Sequence, residues 1–192
     1  MSLPKKYAIT DSKRYDKPAH ILVEEVLKNT DVRMIQLREK HLKDKDLYLT
    51  ALRLREITKR YSALLIINER FDIALAVDAD GVHLPEKSFP PSVIKKISPK
   101  LLVGFSAHSL ESALYAEREG ADFITLSPIF KTASHPESEP IGIEVLEIVC
   151  RSVKIPVFAL GGIDEIKGEE CIKRGAYGVA GISVFFDKVV LK

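Results

Sequence analysis

Three polar side chains stand at alternate positions in the stretch RMIQLREK, residues 33–40. Gln36, Arg38 and Lys40 share one face if this stretch is a β-strand, because alternate strand residues point the same way. Cations are rarely buried without a partner, so we expect an anion beside Arg38 and Lys40. A diphosphate or a phosphate ester would suit the arginine fork and the lysine point charge. The alternative is an internal ion pair with a nearby acid: Glu39, Glu69 or Glu86.

Asn68 and Glu69 follow a second apolar run, ALLIIN at residues 63–68. An amide beside a carboxylate could hold Mg²⁺ that is shared with a diphosphate, because Mg²⁺ usually takes one or two protein carboxylates plus substrate oxygens. Two adjacent residues are a weak spacing pattern. Mg²⁺ binding is therefore an expectation from the residue types alone.

Two glycine-containing stretches, ALGGI (159–163) and GISVF (181–185), are candidates for a phosphate site. Glycines let backbone N–H groups approach an anion closely, and a helix that begins after them adds its dipole. In a barrel of alternating strands and helices, the last two strands usually end at such a site. The alternative is that Gly161 and Gly162 only form a tight turn between a strand and a helix.

The stretch SPIFKTASHPESEP, residues 127–140, has the composition of a mobile lid. Thr132, Ser134 and His135 offer hydroxyl groups and a titratable ring there, and a plain surface loop is the alternative. His83 lies inside an apolar run, where a hydrogen-bonded core histidine is more common than a catalyst.

Eight short apolar runs must position these side chains. We predict strands at residues 6–10, 32–38, 63–68, 81–84, 101–107, 121–129, 156–162 and 178–185. Apolar residues recur three and four apart between most of them, and the clearest helices are predicted at 47–61, 109–120 and 142–153. Strands alternating with helices indicate a parallel sheet covered on both faces.

We predict an α/β fold, a single-domain (β/α)₈ TIM barrel over residues 1–192, with a doubly wound open sheet as the alternative. No Gly-x-Gly-x-x-Gly turn follows the first strand, as a dinucleotide-binding sheet would need. Polar residues end strand after strand, and the active site of such a barrel lies at the C-terminal ends of its strands. Only DKVVLK follows GISVFF, so the eighth helix should be truncated or missing.

The overall composition limits the classes of function. The chain has 192 residues, 46% of them hydrophobic, and a formal charge of +2, which is too mild for a typical nucleic-acid binder. Two cysteines without metal-like spacing, and the lack of an apolar signal segment or membrane span, predict a cytoplasmic protein. Small phosphorylated molecules are the expected partners, nucleic acid and membranes are not, and a homodimer is left open.

The motifs QLREK, IINER, DIALAVDADGVHLPE, VGFSAHSLESALYAEREGADFITLSPIFKT, IPVFALGGI and GAYGVAGISVF resemble, in this order, the thiamine-phosphate synthase and TenI family. The resemblance spans roughly residues 6–186 and implies a (β/α)₈ barrel. Thiamine-phosphate synthases couple hydroxymethylpyrimidine diphosphate to hydroxyethylthiazole phosphate in thiamine biosynthesis and release diphosphate. In the family mechanism diphosphate leaves first, and the thiazole nitrogen attacks the pyrimidine cation that forms.

The resemblance also implies roles for individual residues. The pyrimidine diphosphate would be held by Gln36, Arg38, Lys40, Asn68 and Ser106. The thiazole phosphate would be held by Thr132, Ser134, Gly161, Gly162, Ile182 and Ser183. We predict that Glu69 binds Mg²⁺ and that the catalytic residues are Arg38, Lys40, Ser106 and His135.

Four positions depart from the family pattern. Glu69 stands where synthases usually have aspartate, and Ser88 falls where a second metal-binding aspartate is expected. His135 replaces a loop lysine and would carry charge only when protonated. The catalytic histidine of the TenI tautomerases falls on Pro128, which cannot transfer a proton. We favour a transferase of the synthase type, because Arg38, Lys40, Asn68 and Ser106 preserve the diphosphate half whereas the tautomerase histidine is absent. A TenI-like thiazole tautomerase and a non-catalytic protein that binds thiazole phosphate are the alternatives.

Overall fold

Eight strands form one closed barrel in chain order, as predicted. The structure, a computed structural model, describes residues 2–132 and 137–190. The strands are β1 Lys6–Ile9, β2 Met34–Leu37, β3 Leu64–Asn68, β4 Gly81–Leu84, β5 Leu102–Ala107, β6 Phe123–Leu126, β7 Val157–Ala159 and β8 Gly178–Gly181. They are parallel, with Gln36 paired to Ile66 and Ser106 paired to Thr125, for example.

A helix follows each strand. The helices are α1 Ala19–Asn29, α2 Asp44–Arg60, α3 Phe71–Ala76, α4 Pro91–Ile97, α5 Leu110–Arg118, α6 Gly142–Ser152, α7 Glu165–Lys173 and α8 Ser183–Val190. A short 3₁₀ helix, Ser12–Tyr15, precedes α1. The eighth helix is present: α8 has eight described residues, fewer than the seventeen of α2 but more than the six of α3 and the seven of α4.

The eighth strand ends four residues before the predicted boundary at residue 185. After Gly181 the backbone N–H groups of Phe185 and Phe186 both donate to the carbonyl of Ile182, so the chain begins a helix there. That helix buries both phenylalanines. Composition could not separate the two possibilities, because a short apolar run suits a buried strand and a buried helix equally.

The contacts of the chain divide it into two compact units, residues 1–82 with 182–192 and residues 83–181. The interior of the first unit is mainly aliphatic, with Met34, Ile35 and Leu65 fully buried. In the second unit the Phe123 and Phe158 rings meet edge to face, with centroids 5.7 Å apart. Aromatic rings therefore fill much of that interior. The assignment of the whole chain to a single domain stays a prediction.

Both cysteines are free thiols. Burial raises the pKa of Cys150 and of Cys171 to about 11, so both are protonated near neutral pH. No helix within residues 2–132 and 137–190 is long and apolar enough to cross a membrane.

Candidate functional site

Arg38 and Lys40 lie after the end of the strand rather than on it. β2 ends at Leu37, Arg38 is half-buried, and Lys40 is exposed in a turn. The backbone N–H of Arg38 donates to Thr10 Oγ1 at 2.9 Å, which anchors the chain just after the strand. The predicted strand alternation therefore stops before Lys40, and our expectation that the strand extends to residue 38 was one residue too long.

Gln36 lies deeper than the two cations. Its side chain is 2% exposed, and Nε2 donates to Tyr7 Oη at 2.7 Å. Burial raises the pKa of Tyr7 well above its ordinary value, so the phenol stays neutral. The structure thus places Gln36 in a satisfied core contact, and its role as a diphosphate ligand stays a prediction.

Glu39, between the two cations in sequence, has a different partner. Its carboxylate is buried and accepts hydrogen bonds from the backbone N–H of Ser12 and, at 2.7 Å, from Ser12 Oγ. In the described part of the chain neither Arg38 nor Lys40 forms an ion pair. The internal ion pair offered above as the alternative is therefore absent from these residues.

Asn68 and Glu69 lie at the end of β3, in the same unit. Asn68 Nδ2 donates to Glu69 Oε2 at 3.2 Å, and Glu69 has a left-handed backbone with φ of 61°. A pocket of about 330 Å³ opens here. Its lining consists of Leu37, Glu39, Lys40, Leu42, Asp44, Leu47, Asn68, Glu69 and Arg70. Lys40 and the Asn68–Glu69 pair are thus brought together at one pocket, whereas Arg38 is not among its lining residues.

The carboxylates that line this pocket differ in whether they have a hydrogen-bond or ion-pair partner. Asp44 accepts a hydrogen bond from Arg70, which also binds Asp72 through two nitrogens. The hydrogen bond from Arg70 lowers the pKa of Asp72. Glu39 is occupied by Ser12, so among the described residues Glu69 is the lining carboxylate without a cation or backbone donor.

The donor set suits Mg²⁺ only if substrate oxygens complete the coordination. In residues 2–132 and 137–190 no group of three or more His, Cys, Asp or Glu side chains could hold a metal by itself. One carboxylate and a neighbouring amide match the share that proteins usually contribute to Mg²⁺ bound with a phosphate ligand. The Glu69 metal site therefore stays a prediction.

A second polar cluster lies in the other unit, on strands β4 to β6. His83 is 3% exposed, and its Nε2 lies 3.0 Å from Ser106 Oγ and 3.3 Å from Thr125 Oγ1. Thr125 is fully buried, whereas Ser106 is half-buried. The interpretation of His83 as a hydrogen-bonded core histidine agrees with this geometry, and Ser106 is the member of the group with an exposed side.

The segment after β6 packs against the turn after β7. The backbone N–H of Ile129 donates to Leu160 O at 2.9 Å, and that of Phe130 donates to Gly161 O at 3.0 Å. Both glycines are left-handed, with φ of 99° at Gly161 and 65° at Gly162. A Cβ on Gly162 would lie 2.3 Å from the carbonyl oxygen of Lys131. The tight turn and the close backbone approach are therefore sufficient reasons for the two glycines.

These glycines still leave backbone donors available. Within the described residues the N–H groups of Gly161 and Gly162 make no hydrogen bond. In the first unit, α8 begins at Ser183 directly after Ile182, and the first N–H groups of any helix lack partners within the helix. Both features suit an anion, and the phosphate assignment of these four residues stays a prediction.

The predicted lid is only partly described. Thr132 is half-buried. Ser134 and His135 lie outside the described residues, so their roles as phosphate ligand and catalytic residue stay predictions. His108 has an exposed ring whose Nδ1 lies 2.6 Å from the carbonyl oxygen of Ser127, at the start of this segment.

Sequence reasoning missed two features of these clusters. It did not pair Glu39 with Ser12, because those residues are distant in the chain and nothing local signals the contact. It also overlooked Gly104, where an added Cβ would lie 2.4 Å from Phe123 Cζ and 2.5 Å from His83 Nδ1. A glycine inside a strand signals close approach of another group, and that signal was present.

Comparison with known proteins gives one family. The family model described as thiamine monophosphate synthase matches residues 6–185. A relative from Aquifex aeolicus, itself named only provisionally as thiamine-phosphate synthase 2, is 64% identical and covers 97% of this chain and 100% of its own length. Thiamine-phosphate synthase of Caldanaerobacter subterraneus is 43% identical over 94% of this chain and 86% of its own.

A solved structure supports the same assignment. Thiamine phosphate pyrophosphorylase from Pyrococcus furiosus superposes with a TM-score of 0.85 at 39% identity, covering 97% of this chain and 95% of that one. The match therefore includes the fold and nearly the whole length. Since the family model and these relatives each cover nearly all of it, the chain belongs to the thiamine monophosphate synthase family.

Proposed function

We propose that this chain is a thiamine-phosphate synthase, a transferase of thiamine biosynthesis that couples hydroxymethylpyrimidine diphosphate to hydroxyethylthiazole phosphate. The observation that carries the proposal is the pair of cations after β2. Arg38 and Lys40 have no ion-pair partner among the described residues, and Lys40 lines a pocket beside Asn68 and Glu69. An unpaired lysine at a pocket, with an unpaired arginine two residues before it, suits an anionic substrate, and relatives at 43% and 42% identity are thiamine-phosphate synthases.

The reaction makes a specific electrostatic demand. The bond from the pyrimidine methylene carbon to the diphosphate oxygen breaks, and the oxygen keeps the electron pair. The lone pair of the thiazole nitrogen then forms the new carbon–nitrogen bond. Negative charge grows on the departing diphosphate, and preorganised cations stabilise such charge in the transition state. Arg38 and Lys40 supply this stabilisation in the proposal, Arg38 by a bidentate contact and Lys40 as a point charge.

Other predicted ligands of the pyrimidine diphosphate have supporting roles. The half-buried hydroxyl of Ser106 and the amides of Asn68 and Gln36 would orient the substrate. Gln36 could do so only from its buried position beside Tyr7. Orientation matters because a fixed geometry removes much of the entropic cost of the reaction.

Glu69 is the residue that would hold Mg²⁺, since its carboxylate is otherwise unengaged by cations in the described structure. When bound, the ion would neutralise part of the diphosphate charge. Glutamate is one methylene longer than the aspartate that the family usually has, so the carboxylate would reach farther from the backbone of residue 69.

The thiazole phosphate would be bound by backbone N–H groups and hydroxyls. The N–H groups of Gly161 and Gly162, which no described residue accepts, support this assignment, as does the start of α8 at Ser183 beside Ile182. Thr132 and the predicted loop residue Ser134 would complete it, and His135 keeps its predicted catalytic role. Location in the cytoplasm and assembly as a homodimer remain expectations from the sequence.

A tautomerase reaction has less support. It needs a side chain that moves a proton, and Pro128 stands at the position of the histidine that the TenI enzymes use. A non-catalytic binder would keep the phosphate contacts without turnover. The experiment below separates these outcomes.

The test is a coupling assay with purified protein, hydroxymethylpyrimidine diphosphate, thiazole phosphate and Mg²⁺. Thiamine phosphate is detected after oxidation to its fluorescent thiochrome form. We expect multiple turnovers, and a sample without Mg²⁺ tests the metal. Absence of product with both substrates intact would overturn the synthase assignment. Thermal stabilisation by thiazole phosphate in that case would indicate a binding protein.

A further inference from the structure

His83 contacts Ser106, the one hydroxyl residue among the predicted ligands of the pyrimidine diphosphate. Its ring is buried on β4, and Nε2 lies 3.0 Å from Ser106 Oγ and 3.3 Å from Thr125 Oγ1. Both oxygens are within hydrogen-bonding distance, and 3.0 Å is an ordinary length for such a contact. One nitrogen thus serves two hydroxyls, of which only Ser106 has an exposed side.

The ring is held in place by its surroundings. Gly104 has no side chain, and the space that its Cβ would occupy is filled by the edges of His83 and Phe123. The Phe123 ring lies against His83 with centroids 5.8 Å apart. Because packed rings cannot shift without opening a gap, Nε2 is fixed relative to Ser106.

The direction of the hydrogen bond between His83 and Ser106 determines whether the Ser106 hydroxyl can donate to a ligand. A serine hydroxyl has one proton to donate and two lone pairs that accept. If Nε2–H donates to Ser106 Oγ, the hydroxyl proton is left to point outward, away from the ring. A serine oriented in this way is a donor to an anionic oxygen.

We propose that His83 is a positioning residue, which donates to Ser106 Oγ and so directs the Ser106 hydroxyl proton toward a diphosphate oxygen of the pyrimidine substrate. The inference rests on the proposed function, because that function assigns the diphosphate to Ser106. It gives the buried histidine a role in substrate recognition that the resemblance does not assign.

The test is a set of variants measured with each substrate varied in turn. His83→Leu removes the donor, whereas His83→Gln carries an amide N–H that can replace Nε2. We expect His83→Leu to lower kcat/KM for the pyrimidine diphosphate about tenfold to hundredfold, because a misdirected Ser106 hydroxyl loses its hydrogen bond to the charged diphosphate. The KM for thiazole phosphate should be unchanged. His83→Gln should recover most of the loss.

A double variant separates positioning from simple packing. In a Ser106→Ala background, His83→Leu should cause little further loss, because the two residues act through one hydroxyl. If the loss of kcat/KM in the double variant equals the product of the two single-variant losses, the proposal is overturned. Equal losses of kcat/KM for both substrates would also overturn it. His83→Asn, whose amide is too short to reach Ser106, replaces the leucine variant if that variant does not fold.

Ser92→Ala is the matched control. Ser92 Oγ donates to Glu119 Oε2 at 2.7 Å in the same unit, so the variant loses one serine hydrogen bond on helix α4. We expect unchanged kcat/KM for both substrates. A loss there comparable to that of Ser106→Ala would mean that the assay reports general destabilisation, which would overturn the positioning role.

Failure of the proposed function can be recognised separately. If the wild-type protein makes no thiamine phosphate, binding of hydroxymethylpyrimidine diphosphate is measured by titration calorimetry on the same variants. Weaker binding in His83→Leu, with recovery in His83→Gln, would support the inference without the synthase reaction. Binding that is absent in the wild type, or equal in all variants, would overturn it.

Discussion

The end of β2 and the turn after β7 both carry residues predicted to bind an anion, but they do so by different physical means. After β2 the binding groups are side-chain charges, Arg38 and Lys40, that no other described residue engages. After β7 they are the backbone N–H groups of Gly161 and Gly162, which the shape of the turn presents. The first region depends on charge left unpaired, and the second depends on backbone geometry.

The difference follows from how neighbouring groups are used. Around the first region, Ser12 binds Glu39, and Arg70 binds Asp44 and Asp72. These contacts occupy Glu39 and Asp44, two carboxylates that line the same pocket as Lys40. In the second region, the segment Pro128–Lys131 packs so tightly on the turn that only glycine fits. Substitutions at the glycine turn should therefore change stability, whereas substitutions of the cations should change catalysis.

The largest effect is expected at the glycine turn. Gly162→Ala places a Cβ against the Lys131 carbonyl and strains a left-handed backbone. We expect a loss of about 4 kcal/mol in the free energy of unfolding, from strain and overpacking together. Urea denaturation measures it.

Gly120→Ala is the control for this prediction. Gly120 has φ of 84°, but a Cβ there would meet nothing within 4 Å. Backbone strain alone should cost about 1 kcal/mol. If both variants lose the same free energy of unfolding, the contact of residues 128–131 with the turn at Gly162 adds nothing to the cost.

At the cationic region the effect should appear in catalysis rather than in stability. Arg38→Ala should lower kcat/KM for the pyrimidine diphosphate about a hundredfold, because a charge-assisted contact is lost. Thermal unfolding should change little, since Arg38 has no ion-pair partner among the described residues.

Arg33→Ala is the matched control at the opposite end of β2. Arg33 Nη1 donates to the carbonyls of Leu27, Thr30 and Val32, at 3.4, 3.0 and 2.6 Å, so its role is structural. Its loss should lower the free energy of unfolding by about 1 kcal/mol and leave kcat/KM unchanged. Unaltered kinetics in Arg38→Ala would contradict the assignment of that region to the diphosphate.

Glu69 gives a smaller, metal-dependent effect. Glu69→Gln should raise the Mg²⁺ concentration for half-maximal activity about tenfold, because a neutral amide is a poorer ligand than a carboxylate. Glu69→Asp, which restores the residue usual in the family, should keep the wild-type dependence. An identical Mg²⁺ titration in the glutamine variant would remove Glu69 from the metal site.

The smallest effect concerns the paired arginine. The hydrogen bond from Arg70 lowers the pKa of Asp72, so the pair stabilises the fold above the unfolded-state pKa of aspartate. That contribution is lost as the pH falls through the lowered pKa. Because the Asp72 side chain is 55% exposed, solvent screening limits the contribution to about 0.5 kcal/mol.

Asp72→Asn tests this contribution. The variant should be slightly less stable than the wild type at pH 7, and the difference should shrink as the pH falls through the lowered pKa of the aspartate. A difference that persists in acid would mean that the side chain acts by packing rather than by charge.

Much of the fold could be predicted because local patterns carry it. The apolar runs gave all eight strands within a few residues, with the largest error at the start of α8. The candidate residues after β2, β3 and β7 were also identified from the sequence. What the sequence did not predict is which of them have partners, since Ser12 meets Glu39 across 27 residues of chain.

The sequence by itself determined the order of strands and helices, the barrel, the family, and the positions where cations and glycines stand. These follow from periodicity and residue type, which act over a few neighbouring residues. Only the tertiary structure decided that Ser12 donates to Glu39, that Arg70 donates to Asp44, and that His83 is hydrogen-bonded to Ser106. The physical reason is that hydrogen bonds and ion pairs form between residues that folding brings together, and their competition for partners is settled in space.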